Sequence, residues 1–423
     1  MAKVSRRRWV GEHESGLPRR DRQSCEYEVY IPDRLGERSF TLDGSVAADV
    51  AEAETAITRL NLEARALSNS EALARLLLRS ESVASSKIEG LEVGARRLLR
   101  AEAARDLGKE PTDITASEVL GNIDAMAYAI SSVAEGDPIT PDLLLETHRR
   151  LLAGSRLEEH GGQIRDRQNW IGGSSFNPCS AVFVPPPCEM VEDYLVDLCA
   201  FCNNDSLPAV AQAAIAHAQF ETIHPFIDGN GRTGRALIHM VLKRRGLAPR
   251  VLPPVSLVLA NWATDYVEAL AATRYLGSPT SSAAHEGLNR WVGLFAAASR
   301  RAVADATAFE ARIAGLEAAW RTRLGPVRRN SATDLLLSAL LAAPVVTVQG
   351  AASLIDRSVQ AANEAVARLE EAGVLRQVTV GRRNRAFEAR QLIGVFTDLE
   401  RQLASPTGDT RTTPPSRRAP RRS

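Results

Sequence analysis

The chain lacks an excess of either charge. Over 423 residues, 52 Lys and Arg stand against 51 Asp and Glu, a balance of +1. This excludes a global field that would draw the chain to nucleic acid or to a membrane surface. Cysteine is scarce, five in all with no framework spacing, which argues against a disulfide scaffold and for a reducing compartment. No uninterrupted apolar run approaches the length of a membrane span, and the basic start, residues 1–9, is not followed by the apolar stretch of a leader. The expectation is a cytoplasmic protein with no membrane partner, long enough for two or three domains.

What is present is concentrated in a dozen residues, His224-Pro225-Phe226-Ile227-Asp228-Gly229-Asn230-Gly231-Arg232-Thr233-Gly234-Arg235. Residues 208–222 ahead of it are Ala-rich with apolar positions at helical spacing, and Pro225 moves His224 out of the α region. A helix should therefore stop at His224. From Arg235 a second helix runs to Lys243, Arg244, Arg245 and Gly246, the expected chemistry of a helix end. Gly229 and Gly231 flank Asn230 and permit positive φ, so that backbone N–H groups converge in an anion hole at the start of the second helix. Arg232 and Arg235, three apart, share a helix face and suit a bidentate grip on phosphate oxygens. Asp228 would be repelled by a phosphate unless a cation lies between them, which implies Mg²⁺. His224 is suited to take a proton from an attacking hydroxyl. The spacing Gly229-x-Gly231-x-x-Gly234 also fits a dinucleotide fingerprint, but that motif follows a buried strand, and a helix is expected here.

The motif from His224 to Arg235 resembles the signature of Fic (filamentation induced by cAMP) domain proteins and is complete. The resemblance implies transfer of AMP from ATP to a Ser, Thr or Tyr hydroxyl of a target protein. It casts His224 as general base, Asp228 as Mg²⁺ ligand, Gly229, Asn230, Gly231 and Gly234 as the nucleotide-binding turn, and Arg232 and Arg235 as polyphosphate clamps. A phosphorylating branch has Lys where this chain has Gly231, so the departure favours AMP transfer. Upstream, Ser85-Ser86-Lys87-Ile88-Glu89-Gly90 resembles the family's inhibitory motif, with Ser85, Glu89 and Gly90 at its fixed positions. There the glutamate pairs with the second arginine of the motif, here Arg235. By itself the hexapeptide reads equally as a helix end with a solvated glutamate.

The fold expected is mainly α: a Fic-type helical core with a small β-hairpin flap, and a C-terminal winged helix-turn-helix. Residues 1–24 read as a flexible, Arg-rich arm, with a short extended piece at residues 26–32. In residues 25–112, Val46, Val50, Ala53, Ile57 and Leu60 mark one helix. A second starts at the capping box Ser68-Asn69-Ser70-Glu71 and carries the inhibitory motif. The core spans 113–325, with Thr140 and Pro141 as N-cap and N1 of one of its helices. His148 is expected to be a satisfied core histidine, and His217 to brace the loop.

Residues 161–173 and 181–184 form the expected hairpin, whose Ala181, Val182, Phe183 and Val184 would hold the target as an added strand; a shielding hairpin is the alternative. Cys199 and Cys202 lie on the apolar stripe of a helix and read as core rather than as zinc ligands with Cys179 and Cys188. Residues 331–390 suit three helices and two strands around a basic turn. A winged helix there would contact DNA or protein, self-association included, although Glu364, Glu370 and Glu371 would repel phosphates. A DNA-binding regulator with a nucleotide-sensing core is the rival function. Residues 405–423 have the composition of a disordered basic tail.

Overall fold

A computed structural model describes residues 1–11, 19–65, 70–106, 108, 112–380 and 384–403. The chain opens with β1 (Lys3–Trp9) and β2 (Cys25–Ile31), followed by α1 (Gly44–Arg65), α2 (Ser70–Ile88), α3 (Ala95–Asp106), α4 (Ile114–Ser131) and α5 (Pro141–Leu152). After a long irregular stretch come α6 (Val191–Cys202), α7 (Ala209–Ile223), α8 (Asn230–Arg244), α9 (Val255–Asn261), α10 (Ala263–Ala272) and α11 (Ser282–Leu324). The C-terminal part holds α12 (Ala332–Ala339), β3 (Val345–Val346), α13 (Val348–Ile355), α14 (Val359–Glu371), β4 (Arg376–Val380), β5 (Asn384–Glu388) and α15 (Arg390–Leu403). The mainly helical class expected from the sequence is thus observed.

Two compact units emerge. The first gathers Met1–Glu54, Tyr128–Leu247 and Thr264–Ala297; the second gathers Thr55–Ala127, Ala248–Ala263 and Ala298–Ser423. The two units thus interleave along the chain. In the first unit α7 is buried on every face. Its alanines make this possible, because small side chains let neighbours approach the helix backbone: Trp291 Nε1 donates to the Ala214 carbonyl at 2.7 Å.

The residues expected to form a flexible arm include a strand. β1 runs antiparallel to β2 from Lys3 opposite Ile31 to Trp9 opposite Cys25, with Arg6 facing Glu28 and Arg8 facing Glu26. The ribbon is held by cross-strand charge on its exposed positions and by buried Val29 and Tyr30, so β1 shows no apolar alternation. Cys25 is disulfide-bonded to Cys179 across 154 residues, against the expectation of reduced cysteines. A pairing so remote leaves no spacing signature. Cys199 and Cys202 are buried on α6 as expected, and burial pushes the Cys199 thiol up to about 12.

The expected hairpin at 161–184 is reduced to a single antiparallel bridge, Ile171 to Phe183. Gly172 and Gly173 both have φ near the left-handed region, 73° and 75°, and turn the chain away before a ladder can extend.

In the second unit, Glu81 on α2 is buried and accepts the Ser256 N–H at 2.8 Å, tying α2 to the start of α9. The capping-box positions Ser68 and Asn69 lie outside the described residues. α12, α13 and α14 pack with a three-stranded antiparallel sheet of order β3-β5-β4, one strand more than expected. Leu99 of α3 joins Val345, Ala386 and Ile393 in a buried cluster, and Arg100 bonds the buried Glu388 carboxylate at 3.1 Å. The basic turn at 381–383 and the tail beyond 403 lie outside the described residues.

Candidate active site

The motif occupies the turn between α7 and α8. Its loop is shorter than expected, because α8 begins at Asn230 and takes Gly231, Arg232, Gly234 and Arg235 into helix. Of the two glycines flanking Asn230, only Gly229 has positive φ, at 77°. A Cβ there would come within 2.8 Å of Leu151 Cδ2, so close packing excludes a side chain as firmly as the backbone does. Gly234 is needed for approach: a Cβ would lie 2.9 Å from the Phe220 ring and 3.0 Å from Glu221 Oε1. The first amides of α8, those of Asn230, Gly231 and Arg232, have no preceding turn to bond, an arrangement that suits an anion.

His224 caps α7 with φ 50° and ψ 62°, left-handed rather than the extended conformation favoured before proline. Two side chains hold this strained residue from the irregular segment after α5. Buried Arg165 donates through Nε to the His224 carbonyl at 2.9 Å and through its Nη atoms to the carbonyls of Arg167 and Pro186. Asn169 Nδ2 donates to the Phe226 carbonyl at 2.9 Å. Burial pushes the Arg165 guanidinium down to about 10. Glu221 Oε2 stands 4.0 Å from His224 Nδ1. Sequence reasoning gave none of these three residues a role. Glu221 lies one helical turn before His224, at i−3, and was within reach of such reasoning.

The Asn230 side chain does not line an anion hole. Its Oδ1 accepts the Phe226 N–H and its Nδ2 donates to the Phe226 carbonyl, both at 2.8 Å, so it shapes the loop from within. His148 braces the same loop from α5. Its Nδ1 accepts the Gly162 N–H at 3.0 Å, so in the neutral ring Nε2 carries the proton and donates to the Asp228 carbonyl, also 3.0 Å away. The ring stacks on Phe226 at 3.7 Å, and burial lowers its pKa to about 4. His148 is thus the satisfied core histidine expected. His217 bonds the Tyr266 hydroxyl at 2.7 Å and also meets the Gly234 backbone of the motif, and burial, helped by the Arg235 charge, lowers it to about 3.

Arg232 and Arg235 are both buried on the first turns of α8. Arg232 Nε is buried without a hydrogen-bond partner among the described residues, which fits a site built for an anion. The Asp228 carboxylate is half exposed and stands 3.4 Å from Arg232 Nη2. Among the described residues no cluster of three or more His, Cys, Asp or Glu could hold a metal by itself. A lone carboxylate beside an anion site fits Mg²⁺ shared with substrate phosphates.

The flap segment alternates. Val182 is 84% exposed and Val184 5% exposed, while Ala181 and Phe183 are half-buried. Tyr30 N–H already donates to the Val184 carbonyl at 2.9 Å, and Arg274 lies 3.6 Å over the Phe183 ring. In the second unit, Ser85 is buried on α2. Glu89 follows in a tight helix end, where Gly90 has φ 82° and the Leu91 N–H bonds the Ser86 carbonyl at 3.0 Å. The hexapeptide thus closes α2 with a glycine turn.

Residues 138–242 match the Fic/DOC family, and residues 47–131 match the Fic/DOC family N-terminal segment. The chain is 31% identical over 182 residues to protein adenylyltransferase fic-1 of Caenorhabditis elegans, an overlap of 42% of this chain and 34% of the relative. It is 38% identical over 144 residues to protein adenylyltransferase Fic of Drosophila willistoni, 32% of this chain and 26% of the relative. The chain thus spans about a third or less of the length of these curated relatives. A Fic family protein from Desulfovibrio desulfuricans shares the fold, with a TM-score of 0.51 at 21% identity over 83% of this chain and 97% of that one. Among the described residues no helix is long and apolar enough to cross a membrane.

Proposed function

This chain belongs to the Fic/DOC family, and from that premise we propose that it transfers AMP from ATP to a Ser, Thr or Tyr hydroxyl of a target protein. The observation that carries the reading is the setting of His224. A histidine held left-handed by Arg165 stands six residues before a helix start whose first amides lack a preceding turn and whose Arg232 Nε is buried without a bond, a setting that supports binding of an anion beside a base. In the proposed step the hydroxyl oxygen bonds the α-phosphorus while the bond from that phosphorus to the bridging oxygen breaks. Pyrophosphate leaves, and His224 receives the hydroxyl proton. Glu221, 4.0 Å away, is placed to favour the resulting imidazolium. The α8 amides and Arg232 would neutralise charge on the polyphosphate, with Arg235 on the same helix turn. Mg²⁺ held by Asp228 would supply further charge neutralisation. The segment 181–184 is proposed to present the target, and the C-terminal module to choose it.

Glu89 is proposed to restrain transfer, on the resemblance of residues 85–90 to the inhibitory motif. The protein incubated in parallel with ATP labelled at the α- or the γ-phosphate tests the whole reading. Label on protein from the α-position alone, stronger in Glu89→Gly and lost in His224→Ala, is the expected result. Label from the γ-position alone would replace AMP transfer with phosphorylation, and no label from either in Glu89→Gly would leave a nucleotide-binding module.

A further inference from the structure

A cavity of about 320 Å³ lies within the second unit, bounded by the last turn of α2, the linker to α3, and α9. That is the lower end of the range of small-molecule sites. Its apolar wall comes from Val83, Leu91, Val93, Leu257 and Ala260. Asn261 also lines it, together with two exposed charged residues, Lys87 from α2 and Glu92 from the linker, for which the described residues show no ion pair. Opposite charges left unpaired beside an apolar chamber complement a ligand that carries both charges on an apolar body. We infer that this cavity is a regulatory site for a free α-amino acid with an aliphatic or aromatic side chain. Its carboxylate meets Lys87, its ammonium meets Glu92, and its side chain fills the chamber.

The site's position gives it leverage. Lys87 and Leu91 stand two residues before and two residues after Glu89, and both line the cavity. Between them the chain makes the C-cap turn through Gly90, closed by the Gly90 N–H to Lys87 carbonyl bond at 3.0 Å and the Leu91 N–H to Ser86 carbonyl bond at 3.0 Å. An occupant that binds Lys87 and packs on Leu91 therefore fixes the turn that carries Glu89. Glu81 and Ser256 already anchor the same helix to α9 one and a half turns earlier, so the far end of the wall is held. This regulatory role rests on the restraint proposed for Glu89, whereas binding to the cavity does not.

The test uses the full chain and five probes: L-leucine and L-phenylalanine, isocaproate with only the negative charge, isoamylamine with only the positive charge, and L-serine without the apolar body. Calorimetry and melting temperature are read first. Leucine or phenylalanine is expected to bind about tenfold more tightly than the other three. Lys87→Ala and Glu92→Ala should each weaken binding by about the same factor. Ala260→Leu should abolish binding with the helical spectrum retained, by filling the chamber. Equal binding of isocaproate or isoamylamine, or no binding by either apolar amino acid, would overturn the assignment.

Transfer from α-labelled ATP is then measured with and without the bound amino acid. A several-fold fall in wild type with no change in Glu89→Gly is expected, and an unchanged wild-type rate would overturn the regulatory role. Should Glu89→Gly not exceed wild type while leucine still binds, the restraint falls and the binding site stands. Should Glu89→Gly exceed wild type while no amino acid binds, the site falls alone.

Discussion

A methyl group at Gly229 would meet Leu151 at 2.8 Å in a backbone region that non-glycine residues enter at a cost of about 1–2 kcal/mol. Gly229→Ala should therefore lower unfolding stability by at least that amount and weaken ATP binding, because the start of α8 must shift; urea denaturation and nucleotide titration measure the two effects. Arg165 is the larger commitment. Its guanidinium satisfies carbonyls at His224, Arg167 and Pro186 in a buried position, and each carbonyl left bare costs about 1–3 kcal/mol. We expect Arg165→Met to destabilise the fold by about 3 kcal/mol or more and Arg165→Lys to recover only part of it, since an ammonium lacks the fork. His224→Ala, in contrast, leaves the cradle of amides and Arg232 in place. Transfer should fall by about 10² to 10⁴ with ATP affinity little changed, and a wild-type rate in that variant would remove His224 from the base role.

At the scale of elements, the C-terminal module does more than follow the core. Its β5 residues Ala386 and Glu388 cover Leu99 and bond Arg100 on α3, and Gln391 accepts the Trp320 Nε1 proton at 2.8 Å. Deleting everything after Gly325 would bare Leu99 and strip Trp320 and Arg100 of these partners. Such a truncation should melt at lower temperature than the full chain and self-associate through the uncovered face of α3, as light scattering would register. No motif residue lies beyond Gly325, so automodification should persist in whatever fraction stays folded. Equal melting temperatures for the two proteins would mean that the module docks without stabilising.

Over the whole molecule, two buried neutral histidines set an acid limit. The unfolded chain protonates histidine near the ordinary value of 6.5, whereas folded His148 resists until about 4 and folded His217 until about 3. As pH falls below 6.5 the unfolded state binds protons that the folded state refuses, and stability declines. At pH 5 each histidine should cost about 2 kcal/mol relative to pH 7. Replacing His148 by Gln keeps one donor and one acceptor and removes the titration. Urea denaturation at the two pH values should show a drop smaller by about 2 kcal/mol in His148→Gln than in wild type.

The sequence by itself determined the helices whose signals are local. Val50, Ala53, Ile57 and Leu60 line one buried face of α1 as their spacing required, Thr140 caps α5 through the Leu143 N–H, and α7 stops at the residue before Pro225. The composition of the motif likewise put a histidine, a carboxylate, paired arginines and a helix start within one dozen residues. Only the tertiary structure decided what supports them. Arg165 and Asn169 reach the His224 turn from more than fifty residues upstream, Cys25 meets Cys179 across 154, and β1 is stabilised by pairing with β2 rather than by a pattern of its own. Spacing along a chain reports interactions within a helix turn or a hairpin, because those partners sit at fixed offsets. A guanidinium that bonds four carbonyls, or the Asn169 amide that reaches Phe226 from far upstream, depends on where the backbone brings distant groups together, and packing sets that.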